Sequence, residues 1–261
     1  IRHDHSAMKV GTDGVLLGAW AAQEEDSQKK MRVLDVGVGT GLISLMLAQR
    51  FPYIQVTGID IDDSSVKQAR ENVEASKFKE RINVLKQDFR NIDYFFNKYD
   101  IIVSNPPFYK ERTLSGDNAR DAARHNSFLP FDTLVANAVE LLESNGIFSV
   151  IIPYGETGHF ISICASHKLY LKRRMDVRSS EKKAFKRTLL EFSKTASSTL
   201  TTALTLNAFD GRRTNEYTQL TPVESCEGIA FNNNNLAMAN SRYKLPHIQL
   251  ESLTVAEACS E

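Results

Sequence analysis

Two hydrophobic patterns alternate along most of the chain. Short apolar runs that end in glycine, aspartate or asparagine are typical of buried parallel strands. Longer stretches with apolar positions three and four residues apart predict helices. The predicted strands are Met31–Val36, Gln55–Asp60, Ile82–Lys86, Tyr99–Ser104 and Ile147–Ile152. The predicted helices are Leu42–Arg50, Ser64–Ala75, Phe131–Glu143 and Gly158–His167. This alternation predicts an α/β fold, a Rossmann-like parallel sheet with helices on both faces.

Local signals support two of the helix boundaries. Asp62-Asp63-Ser64 offers capping oxygens and negative charge at the start of the second helix. Asn145-Gly146 follows the third helix and has the composition of a C-terminal cap.

Beyond residue 168 the pattern changes to alternating polar and apolar positions. Tyr170–Val177 and Ala184–Phe192 are predicted to pair as an antiparallel ribbon at the edge of the sheet. Leu200–Asn207 is a candidate for one more strand, and Phe209–Arg212 has the composition of a turn.

The last part of the chain lacks clear periodicity. Residues 232–235 are four consecutive asparagines, and residues 236–261 show weak hydrophobic spacing. We therefore expect a folded domain over residues 1–221 and a loosely ordered or non-native tail over residues 222–261. The chain starts at Ile1 instead of Met, which we interpret as a truncated or processed start.

Composition narrows the possible function classes. Hydrophobic residues make up 42% of the 261 residues and charged residues 25%, as expected of a globular protein with a packed core. No apolar run reaches the ~18 residues that a transmembrane helix needs, so no membrane association is expected. The 32 basic and 32 acidic residues cancel, so any contact with a nucleic acid must rest on a local basic patch.

The three cysteines, Cys164, Cys226 and Cys259, are far apart and odd in number. They form neither a disulfide framework nor a metal-binding spacing. We therefore expect a reducing, cytoplasmic environment and no metal site.

The turn after the first strand has the composition of a ligand-binding loop. In Asp35-Val36-Gly37-Val38-Gly39-Thr40-Gly41, three glycines permit positive φ and a close approach of the backbone to a ligand. Asp60, followed by Ile61, ends the second strand, where a carboxylate can accept hydrogen bonds from both hydroxyls of a ribose. Asp88-Phe89 follows the third strand and suits an adenine, with the carboxylate on the exocyclic amine and the ring against the base.

A nicotinamide-dinucleotide site is the alternative interpretation of this loop. Such sites also join a strand to a helix through glycines, but their spacing is Gly-x-Gly-x-x-Gly. Here the spacing is Gly-x-Gly-x-Gly and Asp35 precedes it. Together with Asp60 and Asp88, this favours S-adenosylmethionine as cofactor, with Asp35 near its ammonium group. A tight turn that binds nothing is the non-functional alternative.

A second motif follows the fourth strand. Ser104-Asn105-Pro106-Pro107-Phe108 lies at the carboxyl edge of the sheet, where open α/β sheets bind ligands. The Asn105 side-chain oxygen and the Pro106 carbonyl can accept the two hydrogens of a planar amine, and the prolines stiffen this acceptor pair. Phe108 can stack on a flat target. Because the sulfonium already activates the methyl group, the amine needs mainly to be positioned. A proline turn with Phe108 in the core is the alternative.

With these two motifs the sequence resembles the amino-methyltransferase branch of the class I methyltransferases. Members of that branch methylate adenine N6, cytosine N4, guanine N2 or a glutamine amide. The resemblance implies a seven-stranded Rossmann-like sheet that ends in the antiparallel ribbon.

More narrowly, residues 7–20 (AMKVGTDGVLLGAW) resemble the bacterial tRNA(Val) adenine-N6 methyltransferase family, which modifies the adenine next to the anticodon. The resemblance runs from about Ile1 to Thr221; the first few residues of the family and its aromatic C-terminal ending are not seen. It implies that residues 1–30 lie on the cofactor or substrate side, with Thr12, Asp13 and Gly14 as candidate cofactor contacts. A helix capped by Thr12 or Asp13, with Leu16, Leu17 and Trp20 in the core, is the alternative.

Two basic segments are candidate contacts for an RNA backbone. Between Lys168 and Arg187, nine cations face two carboxylates, and Lys172, Arg173 and Arg174 are the candidates there. Residues 109–129 add Lys110 and Arg112, in a polar loop that we expect to order over the substrate. Either segment can instead be an ordinary solvated surface.

The leading hypothesis is methyl transfer to adenine N6 in tRNA by a monomeric enzyme. A guanine-N2 RNA methyltransferase, slightly favoured by Phe108 in place of tyrosine, and a glutamine-amide protein methyltransferase are the enzyme alternatives. A cofactor- or RNA-binding module without catalysis is the alternative from another class, although a pure binder needs no paired acceptors for an amine.

Overall fold

The computed structural model describes Ile1 and residues 11–92, 98–107 and 129–221. In these ranges eight strands form one mixed sheet with the order β3-β2-β1-β4-β5-β7-β6-β8. The strands are β1 Met31–Val36, β2 Ile54–Asp60, β3 Ile82–Lys86, β4 Tyr99–Ser104, β5 Leu142–Pro153, β6 Tyr170–Arg178, β7 Arg187–Ser193 and β8 Leu200–Thr205. The helices are α1 Thr12–Trp20, α2 Leu42–Arg50, α3 Asp63–Glu74, α4 Phe131–Leu141, α5 Thr157–Ser166 and α6 Asn215–Leu220.

The sheet packs helices against both faces, as the strand–helix alternation predicts. Apolar residues of α1, α2 and α3 form one buried cluster, and those of α4 and α5 form a second. Alternate residues of a strand point to opposite faces, so Ile101 and Val103 join the first cluster and Ile102 the second. No helix of the described ranges is long and apolar enough to cross a membrane.

The terminal ribbon is confirmed, and the candidate strand over Leu200–Asn207 forms β8, so the sheet has eight strands instead of the seven that the resemblance implied. β7 pairs antiparallel with both β5 and β6, and β8 then pairs in parallel with β6. The eighth strand covers backbone N–H and C=O groups that β6 would otherwise leave open at the sheet edge. β7 begins at Arg187 and not at Ala184, because residues 179–186 form the turn between β6 and β7.

The predicted end of the third helix is also wrong. α4 ends at Leu141, and Asn145-Gly146 lies inside β5 instead of capping a helix. Leu142 pairs with Tyr99 and Ile147 with Ile101, so β5 bulges between these two pairs. A Cβ on Gly146 would lie 3.0 Å from the Asp100 carbonyl oxygen. The glycine therefore serves a close backbone approach between neighbouring strands.

One edge of the sheet collects the ends of most strands. β1, β2, β3, β4 and β5 are parallel and end at the same edge, which we call the carboxyl edge. Because β7 runs antiparallel between β5 and β6, β6 runs with β5, and β8 runs with β6. Arg178 and Thr205, at the ends of β6 and β8, therefore also lie at the carboxyl edge.

Candidate active site

The loop between β1 and α2 turns through left-handed glycines at the carboxyl edge. Gly37, Gly39 and Gly41 have φ values of 76°, 54° and 82°. L-residues rarely adopt these angles, which explains the repeated glycines. Gly37 is exposed, and nothing lies within 4 Å of the position that its Cβ would take. The loop thus presents bare backbone to a ligand.

Neighbouring elements hold this glycine loop in place. The N–H groups of Gly37 and Val38 both donate to the Ile59 carbonyl at 2.9 Å. The Asn72 side chain of α3 donates to the Thr40 carbonyl at 2.8 Å. A Cβ on Gly58 of β2 would lie 2.6 Å from Val38 Cγ2, so only glycine leaves room for the loop at that position. Gly58 and Asn72 were not predicted; a glycine inside a strand is the signal that points to such a close approach.

Asp35 is fully buried at the end of β1. Its Oδ2 accepts hydrogen bonds from the Ser44 N–H at 3.1 Å and the Ser44 hydroxyl at 2.6 Å. Its Oδ1 is buried and has no hydrogen-bond partner in the part of the chain that the structure describes. Burial raises the pKa of Asp35 to about 6, and the Ser44 hydrogen bonds oppose that rise. A cationic group is the partner that this oxygen suits.

Asp60 connects the end of β2 to the glycine loop. Its Oδ2 accepts the Gly39 N–H at 3.0 Å, and its Oδ1 accepts the Asp62 N–H at 3.0 Å. Burial raises the pKa of Asp60, while these backbone hydrogen bonds lower it. A carboxylate oxygen has more than one acceptor site, so hydroxyl donors can still bind. Asp60 and the adjacent Ile61 are both partly buried at the carboxyl edge.

The residues predicted to hold an adenine have other partners. The Arg90 guanidinium binds the Asp88 carboxylate through Nε and Nη2, at 2.9 and 2.8 Å, and holds the pKa of Asp88 below its usual value. The Phe89 side chain is buried in the second hydrophobic cluster. The Phe89 carbonyl accepts a hydrogen bond from the Asn137 side chain of α4. Asp88 and Phe89 thus fix the turn after β3. The Phe89 side chain belongs to the core, whereas the Asp88 carboxylate stays partly exposed and has further acceptor sites, so its predicted contact with an adenine amine stays a prediction.

The second motif begins beside the glycine loop. Val36, the last residue of β1, pairs with Ser104, the last residue of β4. Gly37 and Asn105, which follow these two strands directly, therefore lie side by side. The Ser104 hydroxyl donates to the Val36 carbonyl at 2.9 Å and ties these two strand ends together. Asn105 Oδ1 is buried without a hydrogen-bond partner among the described residues. Pro106 is buried and Pro107 is half-buried. Phe108 lies outside the described residues.

The start of α1 lies close to the end of the glycine loop. A Cβ on Gly14 would lie 3.2 Å from Leu42 Cδ2, at the first residue of α2. The Asp13 carboxylate pairs with Arg187 Nε at 2.7 Å, and Thr12 is half-buried beside it. The helix cap is Gly11 and makes no side-chain hydrogen bond, so the interpretation of Thr12 or Asp13 as the cap is wrong.

The other half of that interpretation is confirmed, because Leu16, Leu17 and Trp20 are all buried in the first hydrophobic cluster. Residues 12–14 thus stand beside the glycine loop, and the rest of α1 belongs to the core.

The basic candidates of β6 do not form an exposed cationic patch. Arg173 is buried, lies 4.3 Å from the centroid of the Trp20 ring, and pairs with Glu191 at 3.2 Å. Arg174 binds Asp176 through two hydrogen bonds of 2.9 Å. Lys172 pairs with Glu24 at 3.2 Å. Counting cations along the sequence does not reveal these acidic partners, because they lie in other elements or in the same strand.

Position also separates these residues from the motif at Asn105. Lys172 and Arg173 lie in the first half of β6, toward the edge opposite to the carboxyl edge. Arg173 is therefore a structural residue and not a surface cation. Lys110 and Arg112 lie outside the described residues. Among the described residues there is no cluster of three or more side chains that could hold a metal.

Comparison with known proteins agrees with this geometry. Residues 14–157 match the family model described as methyltransferase small domain. A tRNA1(Val) (adenine(37)-N6)-methyltransferase from Bacteroides thetaiotaomicron is 41% identical over 195 residues, which are 73% of this chain and 79% of the relative. The chain belongs to this methyltransferase family. A member with the same name from Yersinia pseudotuberculosis is 38% identical over 222 residues, covering 84% of this chain and 86% of the relative.

The family confirms the prediction of an S-adenosylmethionine-dependent methyltransferase made from the glycine loop and the Asn-Pro-Pro-Phe motif. Solved structures confirm the fold class. A predicted O-methyltransferase from Agrobacterium tumefaciens superposes with a TM-score of 0.63 at 18% identity, covering 80% of this chain and 95% of its own. A methyltransferase from Streptomyces caelestis reaches 0.51 at 15% identity, covering 70% of this chain and 90% of its own.

Proposed function

We propose that this chain transfers a methyl group from S-adenosyl-L-methionine to N6 of an adenine in tRNA, with adenine 37 of tRNA1(Val) as the target that the names of its relatives indicate. The observation that carries the proposal is the Asn105 Oδ1 beside the glycine loop, which is buried and has no hydrogen-bond partner in the described part of the chain. An acceptor that is left unpaired at the carboxyl edge suits a ligand that brings an N–H donor.

The residues around the glycine loop fit the cofactor. Asp35 Oδ1 suits the ammonium group of the methionine part, because it is a buried carboxylate oxygen without a partner in the described ranges. Asp60 suits the ribose hydroxyls, and the exposed backbone at Gly37, with nothing within 4 Å of its Cβ position, leaves room for a ligand. When bound, S-adenosyl-L-methionine supplies a methyl group that its sulfonium already activates. Thr12, Asp13 and Gly14 border the same loop and complete the proposed cofactor site.

Asn105 and Pro106 position the nucleophile. The amine of adenine donates two hydrogens, and its lone pair is delocalised into the ring. The Asn105 side-chain oxygen accepts one hydrogen and the Pro106 carbonyl accepts the other, which aims the nitrogen at the methyl group. Pro107 restrains the backbone of this acceptor pair. Phe108 stacks on the flipped base.

The proposal also assigns domain limits and RNA contacts to the rest of the chain. Residues 1–221 form the catalytic domain, and residues 222–261 lie outside it. Lys110 and Arg112 contact the RNA backbone near the motif, whereas Arg173 is withdrawn as a substrate contact because it is buried. The enzyme acts as a monomer in the cytoplasm, where tRNA is the substrate.

A nucleoside analysis tests the proposal directly. The protein is incubated with radiolabelled S-adenosylmethionine and total tRNA from cells that lack the modification, and the RNA is digested to nucleosides. The expected product is labelled N6-methyladenosine. Label in N2-methylguanosine, or in protein alone, would contradict the proposal and favour one of the other amine targets. Asn105→Ala is the control for label that arises without this site.

A further inference from the structure

Phe209 is an exposed aromatic side chain at the carboxyl edge. It has 90% of its surface exposed, in a protein whose other large aromatic residues are mostly buried within the described ranges. The Lys182 ammonium lies 4.6 Å from the centroid of the Phe209 ring. Exposing a whole phenylalanine ring gives up the free energy of burying it, about 1.5–3 kcal/mol. A ring in this position is therefore available for contact with a ligand.

The backbone holds this ring in a fixed turn. The Ala208 N–H donates to the Arg212 carbonyl at 2.8 Å, and the Gly211 N–H donates to the Ala208 carbonyl at 3.1 Å. Gly211 has a φ of 86°, which this turn requires. The Leu206 N–H then bonds to the Arg178 carbonyl at 3.0 Å and anchors the turn to β6. Phe209 thus projects from a rigid support, which lowers the entropy lost on binding.

Exposed cations lie in the turn that carries the ring and in the neighbouring turn between β6 and β7. Lys182, Lys183, Lys186 and Arg212 are all exposed. No acidic side chain of the described ranges pairs with the three lysines, whereas Arg212 lies 3.7 Å from Asp210. We call Phe209 with these three lysines the tip surface. Its charges differ from those of Arg173 and Arg174, which carboxylates neutralise within the fold.

The tip surface lies at the same edge as Asn105. Its two turns follow β6 and β8, which end at the carboxyl edge. Three strands, β5, β7 and β6, separate β4 from β8 in the sheet. With strands about 4.8 Å apart, β8 is roughly 19 Å from β4. A nucleic acid whose target base is at Asn105 can therefore reach the tip surface with nucleotides beyond the target.

We propose that the tip surface binds unpaired nucleotides of the substrate RNA outside the target adenine. One base stacks on Phe209, and phosphates bind Lys182, Lys183 and Lys186. An aromatic ring beside a turn whose lysines have no acidic partner in the described ranges matches the combination of stacking and phosphate contact that single-stranded nucleic acids require. A protein partner would need a larger apolar patch than one ring. This inference rests on the proposed function only in taking RNA as the substrate.

Substitutions in the full chain test the two kinds of contact separately. Phe209→Ala removes the stacking platform, and Phe209→Trp keeps it. Lys182→Ala/Lys183→Ala/Lys186→Ala removes the proposed phosphate contacts. Tyr53→Ala is the matched aromatic control, because Tyr53 is exposed at the opposite edge, just before β2. Lys30→Ala/Lys77→Ala/Lys79→Ala removes the same charge from exposed positions near that opposite edge. The measurements are the Kd and KM for unmodified tRNA, kcat, and the Kd for S-adenosylmethionine.

Stacking of one base predicts that Phe209→Ala raises the Kd and KM for tRNA about 5- to 150-fold. Phe209→Trp should retain wild-type values, with kcat and cofactor Kd unchanged. For single strands, loss of three phosphate contacts should reduce the slope of log K against log salt by about 2. The control variants should leave these quantities unchanged.

Other outcomes separate this inference from the proposed function. Wild-type protein that methylates tRNA, together with an unchanged KM in Phe209→Ala, would overturn the role of the tip surface and leave the function intact. Equal losses in the two triple-lysine variants would also overturn it, because the effect would then be one of net charge. Wild-type protein that methylates no RNA would overturn the proposed function itself.

Discussion

At the scale of single residues, the site is marked by two acceptor oxygens without partners. Asp35 Oδ1 and Asn105 Oδ1 are buried at the ends of neighbouring strands and have no hydrogen bond within the described ranges. Each such atom costs about 1–3 kcal/mol of stability. The Asp35 oxygen belongs to a carboxylate and suits a cation. The Asn105 oxygen belongs to a neutral amide and suits an N–H donor. The pair therefore distinguishes a cofactor position from a substrate position.

For Asn105→Ala we expect methyl transfer to fall by at least about 100-fold, because the amine loses its positioning acceptor. The cofactor Kd should stay within about twofold of wild type. The melting temperature should not fall, because the substitution removes a buried oxygen that has no hydrogen-bond partner among the described residues. Single-turnover assays, calorimetric titration with cofactor and thermal unfolding measure these three quantities.

An Asn105→Ala protein that loses cofactor binding as strongly as transfer would contradict this assignment. Ser104→Ala is the matched control. It removes the hydroxyl that bonds to the Val36 carbonyl, so it should lower stability while leaving the Asn105 oxygen in place.

Asp35 gives a pH dependence whose sign follows from its burial. Burial raises the pKa of the folded state from 3.8 to about 6. Between these values the folded protein retains a proton that the unfolded chain has released, so this residue favours folding more as the pH falls. Relative to Asp35→Asn, the free energy of unfolding of cofactor-free wild type should rise by up to about 3 kcal/mol between pH 7 and pH 4.

Denaturant titrations of both proteins across this pH range measure the difference. The comparison with Asp35→Asn removes the contributions of Asp62 and Asp88, whose pKa values are lowered and whose effect on stability is opposite. Parallel curves for the two proteins would show that Asp35 does not titrate in this window.

At the scale of elements, close packing of α1 on α2 positions the glycine loop. Gly14 and Gly18 face α2 four residues apart, so they lie on one side of α1. A Cβ on Gly18 would lie 2.7 Å from Met46 Sδ and 3.1 Å from Met46 Cβ. The two helices approach so closely that residues 12–14 reach the beginning of α2. This contact explains how an N-terminal segment comes to border the site.

We expect Gly18→Ala to lower the free energy of unfolding by about 1 kcal/mol. The overpacking cost of about 1–3 kcal/mol exceeds the gain of up to about 1 kcal/mol from replacing glycine in a helix. Gly158→Ala in α5 is the matched control, because nothing lies within 4 Å of its Cβ position. That control should gain about 0.5–1 kcal/mol. Equal gains in both variants, measured by chemical denaturation, would refute the close packing of α1 on α2.

At the scale of the whole molecule, a buried charged network joins the ribbon to α1. Glu191 of β7 is fully buried and pairs with Arg173 of β6. Its Oε2 accepts the Ala22 N–H and the Ser149 hydroxyl, both at 2.9 Å. Arg50 of α2 donates to the Gly18 and Ala21 carbonyls at 2.8 Å, and burial lowers its pKa to about 10. The end of α1 is thus fixed to β5, β6, β7 and α2.

Removing one partner of the buried pair should destabilise the fold strongly. For Arg173→Met we expect a loss of about 3–5 kcal/mol, because Glu191 stays buried without its cation. The double variant Arg173→Met/Glu191→Leu should lose less free energy of unfolding than the two single variants lose together. A double-mutant cycle measures this difference. The KM of folded Arg173→Met for tRNA should equal that of wild type. A raised KM would return Arg173 to the substrate contacts.

The sequence predicted the parallel strands better than the connections between them. β1, β3, β4 and α2 have the predicted bounds, because their apolar runs are continuous and end at clear signals. The signal Asn145-Gly146 was misinterpreted, since a glycine serves a helix cap and a strand bulge equally well. The candidate site shows the same limit. Asp35 and Asn105 were predicted from motifs, whereas Ser44, Asn72 and Gly58 act through contacts distant in sequence.

The sequence by itself determined the α/β class, the glycine loop and the Asn-Pro-Pro-Phe motif, because each depends on residues that are neighbours along the chain. Only the tertiary structure decided which charged side chains are free. Arg173 and Lys182 belong to the same basic segment, yet Arg173 pairs with Glu191 and lies against Trp20, while Lys182 is exposed beside Phe209. Burial and pairing depend on strand order and register, which bring together residues far apart in the sequence.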